Sequence, residues 1–116
     1  MPITTRDVSS KQEKFLEKYL GVYRTANSGA SIRKGDLQDM LSVFEAKTTM
    51  TPKKSYSVKK EELEKLKKET IGEGKEFSTL FFDFGTPIEK ETYAVVPLAQ
   101  FKKLYDLYKA ATLEED

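Results

Sequence analysis

The stretch that decides the fold is Gly35-Asp36-Leu37-Gln38-Asp39-Met40-Leu41-Ser42-Val43-Phe44-Glu45-Ala46-Lys47-Thr48-Thr49. β-Branched and aromatic residues dominate its second half, a composition typical of a β-strand. The pattern predicts a short strand that turns directly into a longer one. Because side chains alternate along a strand, Glu45 and Lys47 should share one face of it, with Phe44 and Ala46 on the other.

The sequence before this stretch predicts a helix and a short strand. Ser10 and Glu13 match a capping box, which predicts a first helix from about Lys11 to Leu20. The polar residues 1–9 have no packing pattern and are predicted to form a flexible N-terminal arm. Residues 22–25 are predicted to form a strand because a β-branched and an aromatic residue stand side by side there.

The sequence after this stretch alternates between loop, helix and strand patterns. It predicts a basic loop over residues 50–57, a helix from Lys59 to about Thr70, strands at 77–84 and 92–96, and a last helix from Pro97. The resulting order is helix, three strands, helix, two strands, helix. This order predicts an α/β fold with a central mixed sheet flanked by helices.

Composition limits both the size of the protein and its chemistry. The 116 residues are 38% hydrophobic and 34% charged, which predicts one domain, over residues 10–113. Histidine and cysteine are absent, which excludes the usual zinc sites, Cys or His nucleophiles and disulfides. The sequence has no long apolar stretch and no signal peptide, so we expect a cytoplasmic protein that does not enter a membrane.

Charge is distributed unevenly although the net charge is only +1. Residues 1–60 hold 12 Lys and Arg against 6 Asp and Glu, whereas residues 61–116 hold 8 against 13. The loop after Ala46 is lysine-rich and includes Lys53 and Lys54, which could bind DNA phosphates, and Tyr56, whose ring could stack on a base. A solvated lysine-rich loop is the alternative interpretation.

The acids of the central stretch have the pattern of a divalent-metal site. Asp36 is predicted on the strand beside the one that carries Glu45, and carboxylates on adjacent strands can hold Mg²⁺ or Mn²⁺ together with water. The ammonium group of Lys47 could orient an attacking water and offset the charge that develops on a phosphate. This combination points to phosphodiester hydrolysis, although an exposed strand with alternating charges would show the same pattern.

Residues outside the stretch support such a site. Glu13 lies at the edge of the apolar stripe of the first helix, so its carboxylate should point toward the sheet, a role compatible with capping. Glu17 is turned farther away, and we expect it to be solvated. Cationic and small residues precede Asp36 and could contact DNA phosphates, namely Arg24, Ser28, Arg33 and Lys34.

These residues, in order and approximate spacing, resemble the archaeal-type Holliday-junction resolvases of the PD-(D/E)XK nuclease superfamily. The resemblance rests on Ser10-x-x-Glu13, the strand ending in Arg24, the Ser28-Gly29 loop, Asp36 and Glu45-x-Lys47, and it extends over most of residues 10–108. It implies a restriction-endonuclease-like core and a two-fold homodimer that binds a four-way DNA junction and nicks two opposing strands with a divalent metal. Compact relatives of this kind are familiar from bacteriophages, so the resemblance implies a bacterial or phage-infected cell.

The resemblance also implies a role for each matching residue. Asp36 and Glu45 correspond to the metal ligands, Lys47 to the catalytic lysine and Glu13 to an accessory acid near the metal. Arg24 and Ser28 correspond to phosphate contacts.

Three other functions remain open from the sequence. The same acidic and lysine core recurs in nucleases that act on DNA ends, flaps or nicks. A non-catalytic DNA-binding domain would keep the basic half without using metal. A partner-binding domain would use the aromatic strand at Phe81, Phe82 and Phe84 as its contact surface, although such aromatics are more often part of a core.

Overall fold

The secondary structure follows the predicted order. The structure, a computed structural model, describes residues 4–25 and 36–113. Its helices are α1 (Thr5–Leu20), α2 (Lys60–Gly72) and α3 (Leu98–Leu113). Its strands are β1 (Tyr23–Arg24), β2 (Leu37–Gln38), β3 (Ser42–Lys47), β4 (Phe77–Asp83) and β5 (Thr92–Val95).

The five strands of the described ranges form one mixed sheet in the order β1-β2-β3-β4-β5. Neighbouring strands are antiparallel except β3 and β4, which are parallel and are connected through α2. The Asp39 carboxylate accepts backbone hydrogen bonds from Leu41 and Ser42, each at 2.9 Å, and so holds the turn between β2 and β3. The prediction of a short strand turning into a longer one is therefore confirmed, as is an α/β domain with a mixed sheet.

Helices α1 and α2 cover opposite faces of the sheet. Leu16 of α1 packs with Leu37, Phe44 and Phe81, all of them buried. On the other face, Leu66 of α2 packs with Val43 and Leu80. Adjacent residues of β3 thus pack on opposite faces of the sheet, which confirms the predicted alternation. Glu45 and Lys47 therefore lie on the face that α2 covers.

Helix α1 begins earlier than the sequence analysis predicted. Thr4 is the N-cap, its hydroxyl accepts from the Asp7 N–H at 3.1 Å, and the Asp7 carboxylate accepts from the Thr4 N–H at 3.0 Å. The prediction of a start at Lys11 was wrong because an equivalent box lies six residues upstream, so residues 5–9 of the predicted arm are helical. Glu13 therefore lies inside the helix, and its carboxylate is not needed as a cap.

The hairpin of β4 and β5 forms as predicted, but the last helix is not covered by the domain. All residues of α3 are exposed except Gln100, which is half-buried. Gln100 holds the start of the helix on β4 by accepting from the Ser78 N–H at 3.0 Å and donating to Thr79 Oγ1 at 3.2 Å.

Within the described ranges, no helix combines the length and apolarity needed to cross a membrane.

Gly85 should be intolerant of any side chain. Its φ is +116°, and an added Cβ would lie 2.9 Å from Pro52 Cα, in the loop that carries Lys53. We expect Gly85→Ala to lower the free energy of unfolding by at least about 2 kcal/mol, because the backbone strain and the clash add. Urea unfolding measures this.

A matched control exists in the same chain. Gly72 has open space around its Cα and ordinary backbone geometry at the end of α2. Gly72→Ala should leave stability unchanged or raise it by up to about 1 kcal/mol. Equal unfolding midpoints for Gly85→Ala and the wild type would contradict the packing of the basic loop against Gly85.

Candidate active site

Asp36 lies directly against the segment that joins Glu45 to Lys47. Its backbone N–H donates to the Phe44 carbonyl at 2.9 Å, which places it next to β3. Its Oδ2 accepts a hydrogen bond from the Ala46 N–H at 2.8 Å. The Asp36 carboxylate is therefore held beside the peptide between the two functional residues of β3, the juxtaposition that the sequence predicts.

Glu45 is a partly buried carboxylate whose ionised form is disfavoured. Burial raises its pKa to about 7, and repulsion from Asp36 adds to the rise, whereas attraction to Lys47 opposes it. Its side chain is 20% exposed, so solvent screens this repulsion only partly. Burial and the charge of Asp36 thus both disfavour the ionised form of Glu45, and a cation bound at this carboxylate would offset them.

The pKa of Glu45 predicts how stability depends on pH in the absence of metal. The ordinary value is 4.5, so the folded protein holds this proton more tightly than the unfolded chain does. The contribution of the protonated Glu45 to the free energy of unfolding is complete below pH 4.5 and is lost as pH rises through about 7. We expect Glu45→Gln in EDTA to raise the free energy of unfolding at pH 8 by up to about 3 kcal/mol and to change it little at pH 4.5.

Urea unfolding at the two pH values tests this, with Glu64→Gln as the control. Glu64 is an exposed acid on α2, and its replacement should have a small effect at both values. A pH-independent effect of Glu45→Gln would show that burial and the charge of Asp36 do not raise the pKa of Glu45 as described.

Lys47 is held in place from three directions. Its Nζ lies 3.5 Å from Glu45 Oε2 and 3.7 Å from Glu62 Oε2 on α2. Its backbone carbonyl accepts a hydrogen bond from the side-chain amide of Gln12, which is almost completely buried in α1. The ammonium group is thereby directed to the acids of the site while part of the side chain remains open to solvent.

Sequence analysis missed Glu62 and Gln12. Glu62 accepts a hydrogen bond from the Lys59 N–H at 3.2 Å at the start of α2, so its position was recognisable only as a helix-capping one. Gln12 is 35 residues from Lys47 in sequence, and no spacing rule connects them. The signal for Gln12 was its polar side chain next to the apolar stripe of α1.

Glu13 approaches the site from the α1 side of the sheet. Burial raises its pKa, repulsion from Asp36 raises it further, and attraction to Arg24 lowers it. Arg24 Nε in turn donates to Glu17 Oε1 at 3.1 Å, so the expectation that Glu17 is merely solvated was wrong. Glu13 and Glu17 lie one helical turn apart on α1, and Glu17 orients Arg24.

An open depression lies beside this corner of the site. It has a volume of about 830 Å³, and its described lining comprises Arg6, Ser9, Ser10, Glu13, Arg24 and Thr25. Two arginines and two serine hydroxyls suit an anionic phosphate backbone. Arg6 was not singled out in the sequence because it fell within the predicted arm.

The donor set fits Mg²⁺ or Mn²⁺ better than a softer metal, because its side-chain ligands are hard carboxylate oxygens. Within residues 4–25 and 36–113, no three Asp, Glu, His or Cys side chains come close enough to share one ion. Asp36 and Glu45 are the two carboxylates that the sequence predicts for such an ion, and Mg²⁺ held by one or two carboxylates keeps several waters. Glu13, which the resemblance implies is an accessory acid at the metal, lies close enough to Asp36 for the charge of Asp36 to raise its pKa.

Besides Arg24, which lines the depression, the predicted DNA contacts fall into three groups. Lys53 and Lys54 are exposed on the loop between β3 and α2. One face of the Tyr56 ring stacks on Phe82 at 4.9 Å between ring centroids, so that face serves the protein's own packing rather than a base. Ser28, Arg33 and Lys34 lie outside the described residues.

No family model matches the chain, and no curated protein and no solved structure is significantly similar to it.

Proposed function

We propose that this chain is a metal-dependent endodeoxyribonuclease with a restriction-endonuclease-like core, related to the PD-(D/E)XK nucleases, that acts on branched DNA. The observation that carries the proposal is the hydrogen bond from the Ala46 N–H to the Asp36 carboxylate. It joins Asp36, the residue before β2, to the Glu45-x-Lys47 segment of β3. The parallel β3–β4 pair, connected through α2 and preceded by α1, also supports this core.

Each residue of the site has a distinct role in phosphodiester hydrolysis. Asp36 and Glu45 would hold Mg²⁺ or Mn²⁺, which supplies Lewis acidity and lowers the pKa of water. Lys47 orients the attacking water and offsets the negative charge that develops on the phosphate. Glu62 and Gln12 are positioning residues because they fix the ammonium group and the end of β3.

Four-way junctions are the proposed substrate. The basic loop with Lys53 and Lys54 follows β3 directly, so its charges lie at the end of the strand that carries the site. Arg6 and Arg24 line the depression beside Glu13. A homodimer with two such sites could nick two opposing strands of one junction, as the resemblance implies.

The experiment compares labelled four-way junction, linear duplex and flap DNA, each with Mg²⁺ and with EDTA. We expect the junction to bind most tightly and to be nicked in two opposing strands only when Mg²⁺ is present. Cleavage of flaps or ends in preference to junctions would assign a different nuclease activity on the same core. Binding without cleavage in Mg²⁺ and in Mn²⁺ would contradict the nuclease and leave a DNA-binding domain.

The two adjacent loop lysines should contribute to affinity through phosphate contacts. We expect Lys53→Ala/Lys54→Ala to weaken junction binding and to reduce the slope of log K against log salt by about 1 to 2. Fluorescence anisotropy at several salt concentrations measures the slope. The matched control is Lys67→Ala/Lys68→Ala, an exposed lysine pair on α2. Equal slopes for the wild type and the loop variant would mean that these lysines are only solvated.

A further inference from the structure

The exposed face of α3 is more apolar than a solvated helix requires. Helix α3 carries seven large apolar residues that are exposed, and five of them lie along one side at between 44 and 81% exposure, namely Leu98, Phe101, Leu104, Tyr105 and Tyr108. Phe101 and Tyr105 stack on each other with ring centroids 5.6 Å apart, so the patch is continuous along the helix. Four of the five recur at alternating steps of three and four residues, the spacing by which one helix packs along another.

This face points away from the rest of the domain. Gln100 and Lys103, which lie on the side of α3 opposite Leu98 and Tyr105, make the contacts of the helix with β4 and with Glu76, the residue before β4. Lys103 Nζ lies 3.2 Å from Glu76 Oε2 and over the ring of Phe77. The domain therefore anchors one side of the helix and leaves the apolar side unpartnered.

We propose that α3 is a homodimer interface, in which the apolar faces of two copies pack against each other with the helices antiparallel. This inference concerns assembly and does not depend on the proposed nuclease activity. It assigns the surface through which two copies meet, which the resemblance to junction resolvases does not specify.

The exposed area is sufficient for a second copy. Aromatic side chains bury about 150–250 Å² each and leucines somewhat less, so five such residues at 44 to 81% exposure present on the order of 500 Å² in each copy. Two copies would bury about 1,000 Å² in total before flanking contacts are added, which reaches the lower limit for a specific interface. A patch of this size is also at the upper end of what a soluble monomer leaves uncovered.

Charge favours the antiparallel arrangement. Lys102 and Lys103 lie in the first half of α3. Parallel helices would place these lysines beside those of the other copy. Antiparallel helices keep the lysines of the two copies farther apart and align the two helix dipoles favourably.

The oligomeric state of the full chain tests the proposal. Light scattering should give twice the chain mass of 13.3 kDa for the wild type. Tyr105→Glu/Tyr108→Glu should give the single-chain mass, because two charges enter the interface. The matched control, Ala110→Glu, places a charge on the opposite side of the same helix and should remain dimeric. A monomeric wild type at concentrations up to about 100 μM, or a dimeric Tyr105→Glu/Tyr108→Glu, would overturn the proposal.

Cysteine cross-linking tests the orientation independently of any folding defect. The chain has no native cysteine. Tyr105→Cys, near the middle of α3, should form an intermolecular disulfide on oxidation. Leu98→Cys should not, because in antiparallel helices the two residues would lie about 20 Å apart, well beyond disulfide range. Cross-linking of both variants would indicate parallel helices. Cross-linking of neither variant would indicate that the two copies meet at another surface. Either result would contradict the antiparallel assignment.

Discussion

Asp36→Asn should abolish Mg²⁺-dependent cleavage of a four-way junction, with a loss of at least about 10³-fold in rate. The substitution keeps the shape of the side chain, and its amide oxygen can still accept from the Ala46 N–H. It removes one of the two negative charges that would hold the cation. Affinity for the junction in EDTA should stay within a few-fold of the wild type or improve, because the change removes a charge that repels phosphate.

Single-turnover cleavage and anisotropy on the same protein separate the two effects. Glu45→Gln should behave like Asp36→Asn, and the double variant should be no worse than either single variant because each loses the same ion. Glu64→Gln, on the exposed surface of α2, should cleave at the wild-type rate. Wild-type cleavage by Asp36→Asn would remove the basis for the proposed site.

Lys47→Met should be the second most damaging change, with a fall in the cleavage rate of about 10²–10⁴-fold. Methionine keeps most of the length of the side chain but loses the ammonium group that lies between Glu45 and Glu62. Metal affinity and junction affinity should change little, because the ammonium group is proposed to act on the attacking water and the developing charge. The defect should therefore persist at saturating Mg²⁺.

Comparison with Lys65→Met shows whether the effect belongs to Lys47. Lys65 is an exposed lysine of α2 and pairs with Glu69 at 3.9 Å. Its charge also acts on Glu45, but it does not contact that residue as Lys47 does. Equal cleavage by the Lys47→Met and Lys65→Met variants would mean that Lys47 contributes only to the general electrostatic field.

Local sequence patterns predicted the parts of the fold that depend on neighbouring residues. The alternation around Phe44 and Glu45 predicted which side of β3 each residue occupies, and both layers of the core agree with it. The start of α1 was not determined in this way because two capping boxes compete, one at Thr4 and one at Ser10. The structure uses the earlier box, since this adds more than one turn of helix.

The site was only partly predictable because its supporting contacts are distant in sequence. Strand periodicity places Glu45 and Lys47 on one face of β3, and Asp36 directly precedes the neighbouring strand β2, so local patterns suggested that the three converge. Glu62 and Gln12 reach Lys47 from two helices on opposite faces of the sheet, and only the packing of α1 and α2 brings them there. The exposure of α3 was also not predictable, because a helical stripe of apolar residues does not reveal which surface covers it.

Direct binding of Mn²⁺ tests most directly whether Asp36 and Glu45 hold one ion together. Titration of the DNA-free protein, with bound and free Mn²⁺ distinguished by electron paramagnetic resonance, should show a site in the wild type and in Lys47→Met. The same site should be lost in Asp36→Asn and in Glu45→Gln. Equal Mn²⁺ binding by the wild type and both acid variants, or none by the wild type at millimolar Mn²⁺, would contradict the account.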